Sequence, residues 1–206
     1  MNSSTQGKRR RRWSPRLIPV IGYTFVALGL AWFFEQQATT TVIFVTHAEA
    51  DPATGAEDPA LSAYGRRQAE ALADFLHDID VVRSVDNIYA HTSRRTKETA
   101  GPLAERLGLT LHIDDPYRVE RFMRRVMRDR KGEVVLIVTY PDAIAPLIDE
   151  LHGSKRLPVI APDDYDEVYI VTIPNFGKVK TLRLHYPQPP RAEYEKAPPA
   201  AVSSVP

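Results

Sequence analysis

Two short runs of apolar, β-branched residues constrain the fold more than any other feature of this sequence. "TVIFVT" covers residues 41–46 and "EVVLIVT" covers residues 133–139. Both runs are too short for a helix and have no polar face, which is typical of strands covered on both sides. Segments with the apolar spacing of helices lie between and after them. The sequence therefore predicts an α/β domain, a three-layer sandwich with a mainly parallel central sheet.

The rest of the body alternates between strand and helix patterns in the same way. Apolar residues at helical spacing follow residues that can cap a helix, first Ser62 and then Thr92 or Ser93, and Gly108 is suited to end the second helix. A hairpin around "PNFG" closes the domain. The predicted helices are 62–77, 92–108, 119–130 and 142–151, and the predicted strands are 41–46, 87–90, 109–113, 133–139, 167–173 and 178–186.

The functional site is expected where the two most apolar strands end. Ligands of such sheets bind beyond the carboxyl ends of central strands. Here the strands end at Thr46 and Thr139, and the segments that follow are "HAEAD" and "YPDA". His47, Glu49 and Asp51 alternate in the first segment, but three such residues on one loop are a poor pattern for a metal site. We therefore expect neither a metal nor a cofactor.

A charge-free stretch near the N-terminus predicts a transmembrane helix. Residues 17–34, "LIPVIGYTFVALGLAWFF", contain 18 residues without a charge. As a helix they would span roughly 27 Å, close to the thickness of the hydrocarbon core. Residues 1–16 carry six basic and no acidic side chains, and Glu35 follows the stretch. By the positive-inside rule the basic segment is cytoplasmic and the domain is periplasmic or otherwise extracytoplasmic.

Two other interpretations of this stretch remain open, a cleaved signal peptide and a buried helix of a soluble protein. The segment "FFEQQATTT" has no small-x-small cleavage pattern, which favours an uncleaved single-pass anchor in contact with membrane lipid. Outside residues 1–16 the chain has 21 basic and 26 acidic residues, a net charge of −5. This acidic balance argues against a nucleic-acid partner.

The C-terminal segment has a different composition from the domain. Residues 186–206 contain six of the 17 prolines of the chain and end in "KAPPAAVSSVP". A segment of this kind cannot bury enough apolar surface to offset the entropy lost on ordering. The prediction is a folded domain over residues 36–186, followed by a disordered, proline-rich tail over residues 187–206.

Five motifs in the body resemble those of the histidine phosphatase superfamily, the phosphoglycerate-mutase-like proteins, in particular its small bacterial members. The resemblance extends over residues 41–186 and rests on the motifs taken in order. They are "VTHAEA", "DPALSAYGRRQAEALADFL", "IYAHTSRRTKETAGPLAERLGL", "GEVVLIVTYPDAIAPLIDEL" and "DDYDEVYIVTIPNFGKVKTLRLHY".

The resemblance implies a phosphate site in which a histidine attacks phosphorus. In this family two arginines and a second histidine hold the phosphoryl oxygens, and a carboxylic acid protonates the leaving group. Matched by motif, His47 takes the nucleophile position and Arg95 that of the second arginine. Thr46 stands where the first arginine is expected, Tyr140 where the second histidine is expected, and His91 where a serine is usual.

These departures predict a degenerate site. Thr46 and Tyr140 keep hydrogen-bond donors but supply no positive charge, and Glu49 and Asp115 are only candidates for the acid. We therefore expect a pseudoenzyme or a very weak phosphomonoesterase that binds a phosphorylated small molecule. One alternative is an active phosphatase with a rebuilt pocket, in which His91 could substitute for a missing group. Another is a non-catalytic subunit of a membrane complex, with a membrane protein as its partner.

Overall fold

The computed structural model describes residues 17–35, 39–51, 57–78, 84–154, 157, 160–161 and 164–191. The chain divides into two compact units, Met1–Gln37 and Ala38–Pro206. The predictions for the basic segment 1–16 and for most of the proline-rich tail lie outside the described residues.

In the first unit, helix α1 spans Leu17–Glu35 and contains 19 residues. Several of the large apolar side chains described in this helix are exposed, among them Val20, Tyr23 and Phe25. None of the helices in the described part of the chain meets the length and apolar content required of a membrane span. The membrane anchor remains a prediction from the sequence.

The second unit alternates strands and helices as predicted, with boundaries shifted by one or two residues in most elements. The helices are α2 (Ala63–Asp78), α3 (Arg94–Leu107), α4 (Val119–Asp129) and α5 (Pro141–Glu150). The strands are β1 (Thr40–Thr46), β2 (Asn87–Ala90), β3 (Leu111–Ile113), β4 (Val134–Thr139), β5 (Glu167–Ile173) and β6 (Lys180–His185).

The six strands form one mixed sheet in the order β3-β2-β4-β1-β5-β6. Strands β1 to β4 are parallel to one another, whereas β5 runs antiparallel to β1 and β6 runs antiparallel to β5. The prediction of a mainly parallel sheet is therefore correct for the four strands joined by helices. The connection between β5 and β6 is too short for a parallel crossover, so these two strands must run antiparallel to each other.

Both faces of the sheet are covered by helices, which explains why the central strands are apolar throughout. In β1, Ile43 and Val45 pack in the same cluster as residues of α2 and α3. The alternate residues, Val42 and Phe44, pack with residues of α4 and α5 on the other face. Because successive strand residues point to opposite faces, one short strand contributes to two cores. The predicted three-layer arrangement is present.

The start of α2 packs closely against the backbone of the loop that follows β1. The hydroxyl of Ser62 caps α2 by accepting a hydrogen bond of 2.9 Å from the amide of Gly65. A β-carbon added to Gly65 would overlap the carbonyl oxygen of Glu49 and lie 2.9 Å from its carbonyl carbon. A residue without a side chain at position 65 therefore allows α2 to pack against the loop that follows β1.

Candidate active site

The ends of β1 and β4 meet at one edge of the sheet. Thr46 and Thr139 are paired in register, and the amide of His47 donates a 3.0 Å hydrogen bond to the carbonyl oxygen of Thr139. His47 and Tyr140 are the next residues of the two strands. Their ring centroids lie 5.2 Å apart in an edge-to-face arrangement with an interplanar angle of 79°. The two positions that the sequence assigned to one pocket do lie together.

His47 has the geometry of a neutral nucleophile. It is only 6% exposed, and its Nδ1 donates a 2.8 Å hydrogen bond to the carbonyl oxygen of Ala48. Burial lowers the pKa of His47, and the charge of Arg95 lowers it further, while the bond to Ala48 opposes them. The proton is thus on Nδ1, and Nε2 keeps the lone pair that an attack on phosphorus requires.

Hydrogen bonds from two helices fix the loop after His47. The amide of Ala48 donates to the hydroxyl of Thr99 at 2.9 Å, and that hydroxyl donates to the carbonyl oxygen of Arg95 at 2.7 Å. The amide of Glu49 donates to the side-chain oxygen of Gln68 at 2.9 Å. Sequence reasoning assigned no role to Thr99 or Gln68, although both lie in the motifs that carry the family resemblance.

Arg95 reaches the site from the first turn of α3. Its guanidinium carbon lies 4.9 Å from the centroid of the Tyr140 ring, within the range of a cation–π contact. Its Nε is buried and has no hydrogen-bond partner among the described residues. Arg95, predicted to be the second phosphate-binding arginine, therefore lies beside Tyr140 and has at least one donor uncommitted.

Thr46 is already engaged by the chain itself. Its side chain is buried, and its hydroxyl donates a 3.2 Å hydrogen bond to the carbonyl oxygen of Asp164. The same loop brings the ring of Tyr165 to 6.1 Å from that of His47. Sequence reasoning assigned no role to Tyr165, although it lies in the last of the five motifs. Burial and a side-chain hydrogen bond with Asp166 raise the pKa of Asp164.

Two further rings complete the surroundings of Tyr140. His91 lies 5.2 Å from Tyr140 and accepts a hydrogen bond from the amide of Ser93 at its Nδ1, which leaves the proton on Nε2. Tyr117 stacks on Tyr140 at 6.0 Å with an interplanar angle of 30°. Its hydroxyl donates to Asp142 at 2.9 Å, and burial, followed by this bond, raises its pKa. We call His91, Tyr117, Tyr140 and Tyr165 the aromatic wall.

The two candidate acids are bound to other groups. The carboxylate of Glu49 accepts a 3.0 Å hydrogen bond from Ser62 and a 2.8 Å ion-paired bond from Arg191. Asp115 lies 3.5 Å from Arg118 and accepts a bond from the amide of Tyr117. These contacts favour structural roles for both carboxylates, and the assignment of either as the general acid remains a prediction.

Comparison with known proteins supports the fold assignment. Residues 36–116 match the histidine phosphatase superfamily (branch 1). The second unit has the histidine phosphatase fold. The matched segment includes Thr46, His47, His91 and Arg95 and ends before Tyr140. No curated protein matched the chain significantly.

Several solved structures share this histidine phosphatase fold. A mycobacterial glucosyl-3-phosphoglycerate phosphatase is 17% identical with a TM-score of 0.56, and the alignment covers 72% of this chain and 98% of that one. The protein histidine phosphatase SixA, solved with tungstate, is 15% identical with a TM-score of 0.57 over 70% of this chain and 96% of that one. YhfR of Bacillus stearothermophilus is 17% identical with a TM-score of 0.54, and the alignment covers 68% of this chain and 94% of that one. At this level of identity the likeness concerns the histidine phosphatase fold alone.

Proposed function

We propose that this protein is a membrane-anchored histidine-phosphatase-like protein that binds a phosphate-sized anion and hydrolyses phosphomonoesters very slowly or not at all. The observation that carries the proposal is the contact between Thr46 and Asp164. At the position where the family places an arginine, the chain has a neutral hydroxyl that donates to a backbone carbonyl. Tyr140 likewise stands where the family has a histidine, so neutral side chains occupy two positions that are cationic in the family pocket.

The magnitude of this loss follows from what phosphoryl transfer requires. Charge builds up on the oxygens in the transition state, so the protein must surround them with positive charge. A single clamping arginine can contribute ~10³–10⁵ in rate, which corresponds to about 4–7 kcal/mol of barrier. Arg95 contributes one charge against a phosphate dianion. That supports binding, because a charged hydrogen bond contributes about 1.5–3 kcal/mol, but it supports little turnover.

A second candidate is an active phosphatase with a rebuilt pocket, and the geometry of His47 favours it. The Nδ1 bond to Ala48 and the lowered pKa keep Nε2 ready for attack. His91 carries a proton on Nε2 and lies against Tyr140, so it can offer a donor near the position of the missing imidazole. In this candidate His91 and Tyr140 together replace the second histidine.

The membrane anchor and the extracytoplasmic location of the domain are part of the proposal. Their support is the sequence itself, namely the basic residues before position 17 and the charge-free run over residues 17–34. A phosphorylated small molecule on the outer side of the membrane would then be the ligand.

The test is anion binding by the full-length protein in detergent, measured by calorimetry with phosphate and vanadate. We expect weak binding that Arg95→Ala abolishes. Arg94→Ala is the matched control, because Arg94 is the neighbouring arginine but is exposed and paired with Glu98. Binding that is absent, or equal in the two variants, would contradict the proposed pocket. Turnover of about 1 s⁻¹ or more that His47→Ala abolishes would favour the second candidate.

A further inference from the structure

Two tyrosine rings lie next to His47. Tyr140 is the centre of this arrangement, since its ring contacts His47, His91, Tyr117 and the guanidinium of Arg95. Tyr165 approaches His47 from the loop before β5. A phosphoryl group held by His47 and Arg95 would therefore have its ester group against ring faces and ring edges.

Two polar atoms of the wall already have partners within the protein. The hydroxyl of Tyr117 donates to Asp142, and Nδ1 of His91 accepts from the amide of Ser93. A sugar or glycerol ester needs several hydrogen bonds to replace those it makes with water, and unpaired polar groups are costly to bury. An aromatic ester group needs apolar contact and ring stacking instead.

Tyr117 is the member of the wall best placed to receive such a group. Its ring stacks on Tyr140 and is 49% exposed, so part of its surface remains open to solvent at the edge of the site. Its hydroxyl bond to Asp142 holds the ring in one orientation. A ring that is already oriented loses little entropy when a second ring stacks on it.

We propose that the site selects phosphate monoesters whose ester group is an aromatic ring, through stacking on Tyr117 and contact with the rest of the aromatic wall. This inference rests on the proposed function, because it requires a phosphoryl group at His47 and Arg95. One stacked pair strengthens binding by about 2- to 12-fold. The preference should therefore be moderate for a small aryl group.

The test compares two non-hydrolysable ligands, phenylphosphonate and hexylphosphonate, with inorganic phosphate, at a pH above the second pKa of both phosphonates so that both are dianions. Dissociation constants are measured by calorimetry on the full-length protein in detergent. We expect phosphate to bind and phenylphosphonate to bind about 2- to 12-fold more tightly than hexylphosphonate. Tyr117→Leu should bring this ratio close to one, whereas Tyr117→Phe, which keeps the ring without its hydroxyl, should retain it.

Phe176→Leu is the control for loss of an exposed aromatic ring, because Phe176 is 74% exposed in the loop between β5 and β6. It should leave the ratio unchanged. Equal affinities for the two phosphonates while phosphate binds, or a ratio that survives Tyr117→Leu, would overturn this inference alone. A lack of binding by all three ligands would overturn the phosphate pocket and this inference with it.

Discussion

Replacement of Gly65 by alanine should destabilise the domain and displace the loop that follows His47. A methyl group on Gly65 would overlap the carbonyl oxygen of Glu49 and lie 2.9 Å from its carbonyl carbon and 3.2 Å from its amide nitrogen. Carbon contacts are favourable only at about 3.5–4.0 Å. Since the obstacle is backbone and not the end of a flexible side chain, the loop or the helix must move.

The expected magnitude is the balance of two terms. Overpacking against a rigid neighbour costs about 1–3 kcal/mol. The better helix propensity of alanine returns up to about 1 kcal/mol, and less in the first turn of a helix. The net destabilisation of Gly65→Ala should thus be about 1–2 kcal/mol, which would lower the melting temperature by a few degrees for a domain of this size.

Gly101→Ala provides a matched comparison within the same domain. Gly101 lies in the interior of α3, and a β-carbon there would meet no atom within 4 Å apart from the helix's own backbone and its chain neighbours, one of which is Pro102. This variant should be close to the wild type in stability, because the better helix propensity of alanine is opposed by crowding of its β-carbon against the ring of Pro102. Urea unfolding followed by far-ultraviolet circular dichroism should place Gly65→Ala clearly below both Gly101→Ala and the wild type. If Gly65→Ala were as stable as Gly101→Ala, the close approach of α2 to Glu49 would be refuted.

Three further predictions concern His47, the hydrogen bond that supports its loop, and the predicted membrane anchor. Because burial lowers the pKa of His47 below 6.5, the unfolded state binds the proton more tightly, so stability should fall as pH drops below about 6.5. Measured by urea unfolding, the free energy of unfolding should fall less between pH 7 and pH 5 in His47→Gln than in the wild type, and an equal fall would contradict this account. His77→Gln, at an exposed site, is the control and should fall as the wild type does. Thr99→Val removes the acceptor of the Ala48 amide and should cost about 1–3 kcal/mol by the same assay, and a cost near zero would refute its supporting role. Alkaline phosphatase fused after residue 45 should be active, since that enzyme works only outside the cytoplasm, and an inactive fusion would contradict the predicted topology.

The strand and helix pattern was predictable because it depends on local periodicity. Strand β2 has the bounds that the sequence indicated, and Ser62 caps α2 as its position suggested. The meeting of His47 and Tyr140 was predictable for a different reason: parallel strands end at the same edge of a sheet, so the residues that follow them are neighbours. Neither inference required a knowledge of side-chain packing.

The aromatic wall was not predictable in the same way. Tyr117 and Tyr165 lie in loops, where no periodicity marks the residues that face a site. The partner of Thr46 is 118 residues away in the chain, and a hydroxyl gives no sign of the carbonyl that it will contact. The first residues of the proline-rich segment also make contacts that their composition did not suggest, since Gln188 bonds to Gln68 and Arg191 to Glu49.

The central claim is that His47 keeps its nucleophile geometry while the cations that would make it effective have been lost. The most direct test is the rate of hydrolysis of a generic aryl phosphate by the full-length protein and by the double variant Thr46→Arg with Tyr140→His, each with and without His47→Ala. The account predicts feeble or no activity in the parent and His47-dependent activity in the double variant. Parent turnover within the ordinary range of enzymes, ~1–10³ s⁻¹, that His47→Ala abolishes would contradict it.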